Sequence, residues 1–553
     1  MTRLFRRTTV FSILIIFLFT TVCYGASSDN EYVRVRIRFP RVSNEQASLK
    51  GYDGINVYEI NGEPDEIFEL DSNQVSVQID SGRTYHIALN DSYDSYEEAL
   101  SYAEEFESSF GDDFYPYYDG DDFKVYAGFY SGRNDANSLL NKLSNNGYAA
   151  ETVNTGFKSI VVYNEKSKPL LMYNNNIDLY FTSYYDKESI DMVMIDNRPY
   201  RGYMGFKIIE DSRLISINYV ELESYLYGVV PNEISASWGM ESLKAQAVAA
   251  RTYAVYNMSP RSMYDMDDNQ NSQVYRGYNS EKEATDKAVD ETRGEMIYYD
   301  DELIQAFYHS TSGGSTESTE NVWSEKLPYA VGVDDAYSDR SGSPYNEWQK
   351  SYSKEEILKK LKDDGNNVRE LYSVEITKVT ENNRVVECIF STDIGELSYK
   401  KENARLLLGL MSSWFDIVNG NVFYFTNEFT HLNEKKTIPS RSGGSGILDS
   451  IVDEKDEDRN EDNSFKSLNS GGIIGRTAIS SKGTSKITKD TLSVISSKGI
   501  STLKTGSSSS YNFEGRGWGH GIGMSQYGAK QMAEEGFSYD EILKHYFTGV
   551  TIK

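Results

Sequence analysis

The sequence predicts a multi-domain α+β protein, and three features of the chain carry that prediction. Its 553 residues leave room for roughly three or four folded units of about 100 to 200 residues each. Short runs of period two, such as Val33-Arg34-Val35-Arg36-Ile37 and Val75-Ser76-Val77-Gln78-Ile79, fill the first part of the chain and read as antiparallel strands. Helical spacing appears later, where Leu243, Ala247, Ala250 and Ala254 form one apolar stripe. Hydrophobic residues at 39% are ample for buried cores.

Composition excludes several classes of function. With two cysteines, neither a disulfide scaffold nor a Cys-based zinc site is possible. Cys388 stands alone in a strand-like run and reads as a small core hydrophobe. The net charge of -28, from 84 acidic against 56 basic residues, repels phosphate backbones, so no nucleic-acid partner is expected. Any polyanionic ligand needs a local basic patch.

Residues 1–25 read as a signal peptide: Arg3, Arg6 and Arg7 precede an apolar run from Val10 to Val22, followed by the small residues Gly25 and Ala26. This predicts an exported protein. Retention as an uncleaved anchor is the lesser alternative, because the run is shorter than the roughly 20 residues that span a bilayer. Residues 30–80 read as a small β unit. Over 81–156, strand Thr84 to Leu89, helix Tyr96 to Glu107, a Tyr-rich stretch at Tyr115 to Tyr118, strand Phe123 to Tyr130, helix Asn134 to Asn145 and strand Tyr148 to Val153 give the order β-α-β-β-α-β of a ferredoxin-like module.

Short strands continue to Tyr219. Leu222 to Val230 reads as a short helix halted by Pro231, and the loop Asn232 to Gly239 leads into a strong helix from Met240 to Met258. Residues 432–510, with runs such as Asp453-Glu454-Lys455-Asp456-Glu457-Asp458, read as a low-complexity, flexible insertion whose part from Ile487 to Leu503 is weakly β-like. Next, Gly515-Arg516-Gly517-Trp518-Gly519-His520-Gly521-Ile522-Gly523 lets the backbone come close to a ligand or to another segment. No parallel βαβ unit surrounds it, so a dinucleotide site is a poor explanation. Ser525 is placed to cap a helix running to Glu535, and Ser538-Tyr539-Asp540-Glu541 is a capping-box pattern opening a last helix.

Two resemblances follow. The stretch Lys124-Val125-Tyr126-Ala127-Gly128-Phe129-Tyr130, then Ala136, Leu139, Leu140, Leu143 and Gly147-Tyr148, resembles the SPOR family, which implies a module that binds peptide-free peptidoglycan glycan. The generic alternative is an α/β module of another kind. Three further blocks resemble the SpoIID/LytB family of stage II sporulation protein D and amidase enhancers. They are Leu222 to Glu233 with Leu243 to Tyr253, Phe307 to Gly314 with Thr316, Glu317 and Trp323, and the glycine-alternating loop continued by Met524-Ser525-Gln526-Tyr527-Gly528-Ala529. That resemblance covers 157–431 and 511–553 as a mixed α/β catalytic domain.

It implies a lytic transglycosylase that cleaves glycan between N-acetylmuramic acid and N-acetylglucosamine and leaves 1,6-anhydro ends, with peptide-free strands preferred. The alternative is a non-catalytic, wall-binding enhancer of an N-acetylmuramoyl-L-alanine amidase. In the first reading the sugar's own 6-hydroxyl is the nucleophile, so one carboxyl group serves as acid and then as base. Glu233 falls where the family's catalytic Glu lies, among Val229, Val230, Ile234 and Trp238, whose apolar surroundings raise a carboxyl pKa. It reads otherwise as a solvated loop glutamate or a helix cap.

Substrate-binding candidates are Lys244 and Arg251, which lie two turns apart on one helix face and could orient the carboxylate or hold the sugar's lactyl or N-acetyl groups. They read equally well as structural ion pairs. Ser310, Thr311 and Ser312 could bond sugar hydroxyls or cap a turn, and His520 could bond substrate or backbone. Some family members bind zinc near His309, but Ser310 to Trp323 holds neither Cys nor His, so no metal and no cofactor are expected.

Overall fold

Alternation of apolar and polar residues decides most of the first half of the chain. The computed structural model describes residues 31–38, 45–60, 62, 64–185, 190–209, 213–418 and 510–553, together with the strands at 477–480, 483–486, 491–496 and 499–504. The expected signal segment lies outside the described residues.

In Tyr32–Ile37 the buried residues are Val33, Val35 and Ile37, and the same alternation recurs in Gln74–Ile79. Seven strands form one sheet in the order Met266–Asp267, Tyr32–Ile37, Arg213–Glu221, Tyr203–Ile209, Leu179–Thr182, Ile55–Ile60, Pro64–Leu70. A larger sheet joins Gln46–Lys50 and Gln74–Ile79 to Ser159–Asn164 and Ile190–Ile195, with Ile160 opposite Ile79 and Val162 opposite Val77. Val35, Val57 and Phe206 of the first sheet share one core with Leu49, Val77 and Ile160 of the second. The small β unit drawn at 30–80 is therefore not separate: its strands pair with strands from 159 to 221. Alternation identifies which face of a strand is buried but says nothing of which strand lies beside it.

Residues 85–154 follow the order β-α-β-β-α-β. Their strands lie side by side as Phe114–Tyr118, Phe123–Tyr130, Tyr85–Tyr93 and Ala150–Asn154, all antiparallel. Ser95 caps the helix Tyr96–Phe110, and Gly111 ends it at a φ of 80°. The second helix, Asn137–Asn145, starts three residues later than expected and has no side-chain cap. The sheet does not stop at residue 156, because Pro169–Asn174 pairs in parallel with Phe114–Tyr118.

After the strand Arg213–Glu221, helices return at residue 222. The expected single helix is two, Leu222–Tyr227 and Val230–Glu233. Pro231 does not halt the first; it lies in the opening turn of the second, where a missing N–H leaves no bond unmade. Met240–Asn257 then runs through the centre of the domain. Leu243, Ala247, Ala250 and Ala254 face the core of the two large sheets, whereas Ala245, Val248 and Ala249 pack with Met524, Ile542 and Tyr546 from the chain's end. Alanine on both faces lets the helix approach two cores at once.

A third core, which contains Cys388, is built by Lys354–Asp363 and the meander Leu371–Val379, Val385–Thr392, Gly395–Lys400. Ser510–Gly515 returns the chain to this unit by pairing with Trp348–Ser353 and Phe415–Ile417. Most of the insertion expected at 432–510 lies outside the described residues. Its described strands form two hairpins, Thr477–Ser480 with Gly483–Lys486 and Thr491–Ser496 with Gly499–Lys504.

Arg251 fixes the long helix. Its fully buried guanidinium donates to both oxygens of Glu223, at 2.8 and 2.7 Å, and to the carbonyls of Glu295 and Val289. Removing one partner of such a pair leaves a buried charge uncompensated, at a cost of about 3–5 kcal/mol. Arg251→Ala should therefore lower stability by about that amount in thermal or denaturant unfolding, and Arg251→Met combined with Glu223→Leu should recover most of it.

Candidate functional site

Glu233 ends the short turn Val230–Glu233, anchored by buried Val230 on one side and Ile234 on the other. The residue is partly exposed, but its carboxyl points inward. Oε1 accepts the backbone N–H of Val274 at 2.8 Å, and the side chains of Gln526 and Tyr308 also hydrogen-bond the carboxyl. Burial raises its pKa above the ordinary 4.5, while those three bonds and the charge of Arg276 act in the opposite direction without cancelling it.

The donors are themselves held. Gln273 donates through Nε2 to the Tyr308 hydroxyl at 3.0 Å and accepts from the Tyr225 hydroxyl at 3.1 Å. Because the Tyr308 oxygen accepts from Gln273, its own proton is directed to Glu233. Gln526 donates to Oε1 of fully buried Gln246 at 3.3 Å, which orients the amide that faces Glu233. Trp238, five residues after Glu233, meets Tyr527, the neighbour of Gln526, edge to face at 4.9 Å, with Lys530 Nζ 5.9 Å from the Trp238 ring. These rings form an aromatic wall with a polar rim, the kind of surface on which a sugar ring stacks.

Segments distant in sequence meet here because the glycine-alternating loop lies directly on residues 307–312. A Cβ at Gly519 would stand 2.7 Å from that of His309, and one at Gly523 would stand 2.1 Å from the Phe307 carbonyl. Both glycines also adopt positive φ, 115° and 67°. The loop thus approaches another segment of the chain, and it sets Gln526 against Glu233.

Several expected substrate contacts are structural. Arg251 is sealed in its pair with Glu223. Lys244 bonds Glu291 at 2.8 Å and Glu241 at 3.5 Å. Gln246 and Tyr253, two residues after Lys244 and Arg251, lie roughly 160° around the helix, so the face expected to serve the substrate is the one turned away from Glu233. Ser312 is buried and donates to Asp335 Oδ2 at 2.6 Å. Burial pushes the Asp335 carboxyl pKa up, against hydrogen bonds from Ser312, Tyr546 and Ser525. Thr311 is buried, bonded to the Trp518 backbone and to Asn346.

Ser310 remains at the site, half-buried, its carbonyl accepting the Tyr527 N–H at 3.0 Å. His520 is neutral: Nδ1 accepts the Ile522 N–H at 3.0 Å, and burial, aided by Arg405 and Arg384, takes its pKa down to about 3. It braces the loop next to Tyr308 and holds no charge for a substrate.

The zinc that the family resemblance raises does not fit the donors present. His309 gives Nδ1–H to the Ile522 carbonyl, and burial holds its pKa far below the usual range. Glu317 spends both oxygens on Ser318, Asn321 and Thr380. Among the described residues, no three of His, Cys, Asp and Glu come together as a metal-binding group.

Gln246, Gln273, Tyr308, Gln526 and the Val274 N–H are the contacts missed by reading the sequence for charges. A signal existed for Gln246, a lone amide between Ala245 and Ala247 on an apolar helix. None existed for Gln273 or Val274, which lie in irregular chain.

Comparison with known proteins shows what the chain resembles. Residues 210–299, which hold Glu233, Gln246, Gln273 and Val274, match the SpoIID family model, described as Stage II sporulation protein. The chain is 32% identical over 333 residues to the amidase enhancer of Bacillus subtilis (strain 168), which is 59% of this chain and 40% of that protein. It is 27% identical over 356 residues to stage II sporulation protein D of the same organism, 61% of this chain and 76% of that protein. An uncharacterized protein of Brachyspira hyodysenteriae is 28% identical over 368 residues, 66% of this chain and 75% of that protein. The chain thus spans well under half the length of the amidase enhancer that it matches. The family model and these relatives together support the SpoIID family for this chain.

Proposed function

We propose that this protein is a lytic transglycosylase of peptidoglycan glycan, with Glu233 as its single acid and base. The observation that carries the reading is a carboxyl group with a raised pKa, held by three donors and bordered by the Trp238–Tyr527 wall. Protonated Glu233 gives its proton to the glycosidic oxygen as the bond to the anomeric carbon breaks. The resulting carboxylate, stabilised by Val274 N–H, Tyr308 and Gln526, takes the proton of the sugar's 6-hydroxyl as that oxygen closes on the anomeric carbon. None of these partners is a second carboxylate, which suits an intramolecular nucleophile. Ser310, at the edge of the wall, is the remaining candidate for a sugar hydroxyl.

Residues 81–156 serve in this reading as a SPOR-like glycan-binding module. On the sheet face opposite the helices, Tyr115, Tyr117 and Tyr126 are buried with Val161 and Met172, so these stacked rings are core and any glycan contact falls on other surfaces of the module. The protein acts outside the cell on peptide-free strands, and no helix among the described residues is long and apolar enough to cross a membrane. A second reading, enhancement of a cell-wall amidase, is favoured by the name of one relative. It requires glycan to be held and not cut.

Glu233→Gln separates the two: release of anhydro-ended products from peptide-free glycan should fall at least about a hundredfold, since general acid–base catalysis contributes roughly that much or more, while strand binding is kept. Undiminished release would move catalysis to another residue.

Stability should carry the same signature. A carboxyl whose folded pKa is raised favours folding fully below its unfolded value near 4.5 and loses that contribution as pH rises through the folded value. The stability of Glu233→Gln relative to wild type should therefore increase as pH rises above the ordinary value of 4.5, measured by unfolding at each pH. A constant difference would mean that the carboxyl is not desolvated.

Strong chelation followed by elemental analysis should leave both product formation and melting temperature unchanged. A loss restored by zinc alone would contradict single-carboxyl chemistry or reveal a structural ion.

A further inference from the structure

An acid that turns into a base has to be held in two forms, and the three groups bonded to Glu233 differ in whether they can serve both. A carboxylate only accepts hydrogen bonds, whereas the acid also needs an acceptor for its own proton. The Val274 N–H can only donate. The Tyr308 hydroxyl is committed, because the Gln273 amide that gives to it at 3.0 Å also gives to the Ala250 carbonyl at 3.2 Å and accepts from Tyr225 at 3.1 Å. Of the three, only Gln526 carries both a donor and an acceptor on one rotatable group.

Its partner has a group to spare. Gln526 Nε2 gives to Gln246 Oε1 at 3.3 Å, and Gln246 Nε2 is left buried with no hydrogen-bond partner among the described residues. Gln246 is fully buried within Met240–Asn257, where an unpaired donor is costly. This is the arrangement that a carboxylate demands: Gln526 presents its N–H to Glu233, and Gln246 presents an oxygen behind it. Half a turn of both amides reverses it. Gln526 then offers its oxygen to the acid, and Gln246 Nε2 faces that oxygen and gains the acceptor it lacks.

We propose that Gln526 and Gln246 form a reversible amide pair whose orientation follows the protonation of Glu233, so that both are positioning residues for the two halves of the reaction. The proposal rests on the acid-and-base reading of Glu233 above and deepens it. In the acid form the Gln526 oxygen accepts from the Glu233 O–H. As that proton passes to the glycosidic oxygen, the amides turn and the Gln526 N–H meets the new carboxylate; the proton arriving from the sugar's 6-hydroxyl turns them back. No bond within either amide breaks, and neither amide carries the proton.

Other groups near the pair are distinct from this switch. The Arg276 guanidinium has a fixed charge. Burial holds the phenols of Tyr225, Tyr253 and Tyr308 above their ordinary range, and His520 is neutral. Lys530, one turn along the helix from Gln526, lies against the Trp238 ring. The Asp335 carboxyl meets that helix at Gly528, roughly 200° around it from Gln526, and is bonded by Ser312, Ser525 and Tyr546.

The test needs no substrate. The deuterated full chain with 15N in its glutamines is titrated by NMR, each side-chain amide being assigned through its own backbone. As pH falls through the Glu233 transition, the Nε2 protons of Gln246 should move downfield, because they gain an acceptor, and those of Gln526 upfield, because they leave the carboxylate. Both should share one midpoint, and both movements should vanish in Glu233→Gln. A Gln246 resonance that stays still while Gln526 moves, movement of both in one direction, or a titration that persists in Glu233→Gln would overturn the proposal. Paired movement in a protein that does not cut peptide-free glycan would overturn the transglycosylase reading alone, and no transition at either amide would overturn both.

Discussion

The exclusion of water from the Glu233 carboxyl is the condition on which the rest of the site depends. In water this group is an ordinary carboxylate and a poor proton donor. Buried without partners it would stay protonated and could not return as a base. The three donors resolve the conflict, because they come from the backbone of Val274, the phenol of Tyr308 and the amide of Gln526 and add no charge of their own. Gln273 and Gln246 then fix the direction of two of those donors. In the proposed mechanism the acid must become a base, which neutral donors suit, and the more distant Arg276 charge favours the ionised form without overcoming burial.

Bringing these groups together explains features that seem unrelated along the chain. Gln526 reaches Glu233 because alternate glycines let the loop 515–523 lie on residues 307–312. Buried Arg384 closes the arrangement from the third core. Its Nη2 donates to the Ser312 and Ser315 carbonyls, a Cβ at Gly521 would lie 2.4 Å from its Cζ, and burial takes its pKa down to about 10. The alanines of Met240–Asn257 serve the same end, since a bulkier helix could not carry Gln246 between two cores. Histidine and serine side chains in this region hold the loop, and Trp238 and Tyr527 stay half-buried beside it.

Local features were legible in the sequence. The capping box at Ser538, the strand Phe123–Tyr130 and the core role of Cys388 follow from residue type and spacing, and so does the pressure on the Glu233 pKa from its apolar neighbours. Pairings were not legible. Nothing in Val75 to Ile79 announces Ser159–Asn164 as its neighbour. The residues most attractive to a reader looking for charge, Lys244 and Arg251, turned out to face acidic partners, because a helix shows its periodicity in sequence but not which side meets the substrate. Neutral amides did the work assigned to cations, and they carry little signal of their own.

The central claim is that one carboxyl transfers a proton in both directions while the sugar supplies its own nucleophile. Digestion of peptide-free glycan in water enriched in oxygen-18, followed by mass analysis of the new ends, tests it most directly. Transglycosylation predicts anhydro ends, lighter than reducing ends by one water and free of label. Reducing ends carrying the label would mean that water attacks the anomeric carbon, and would contradict the mechanism.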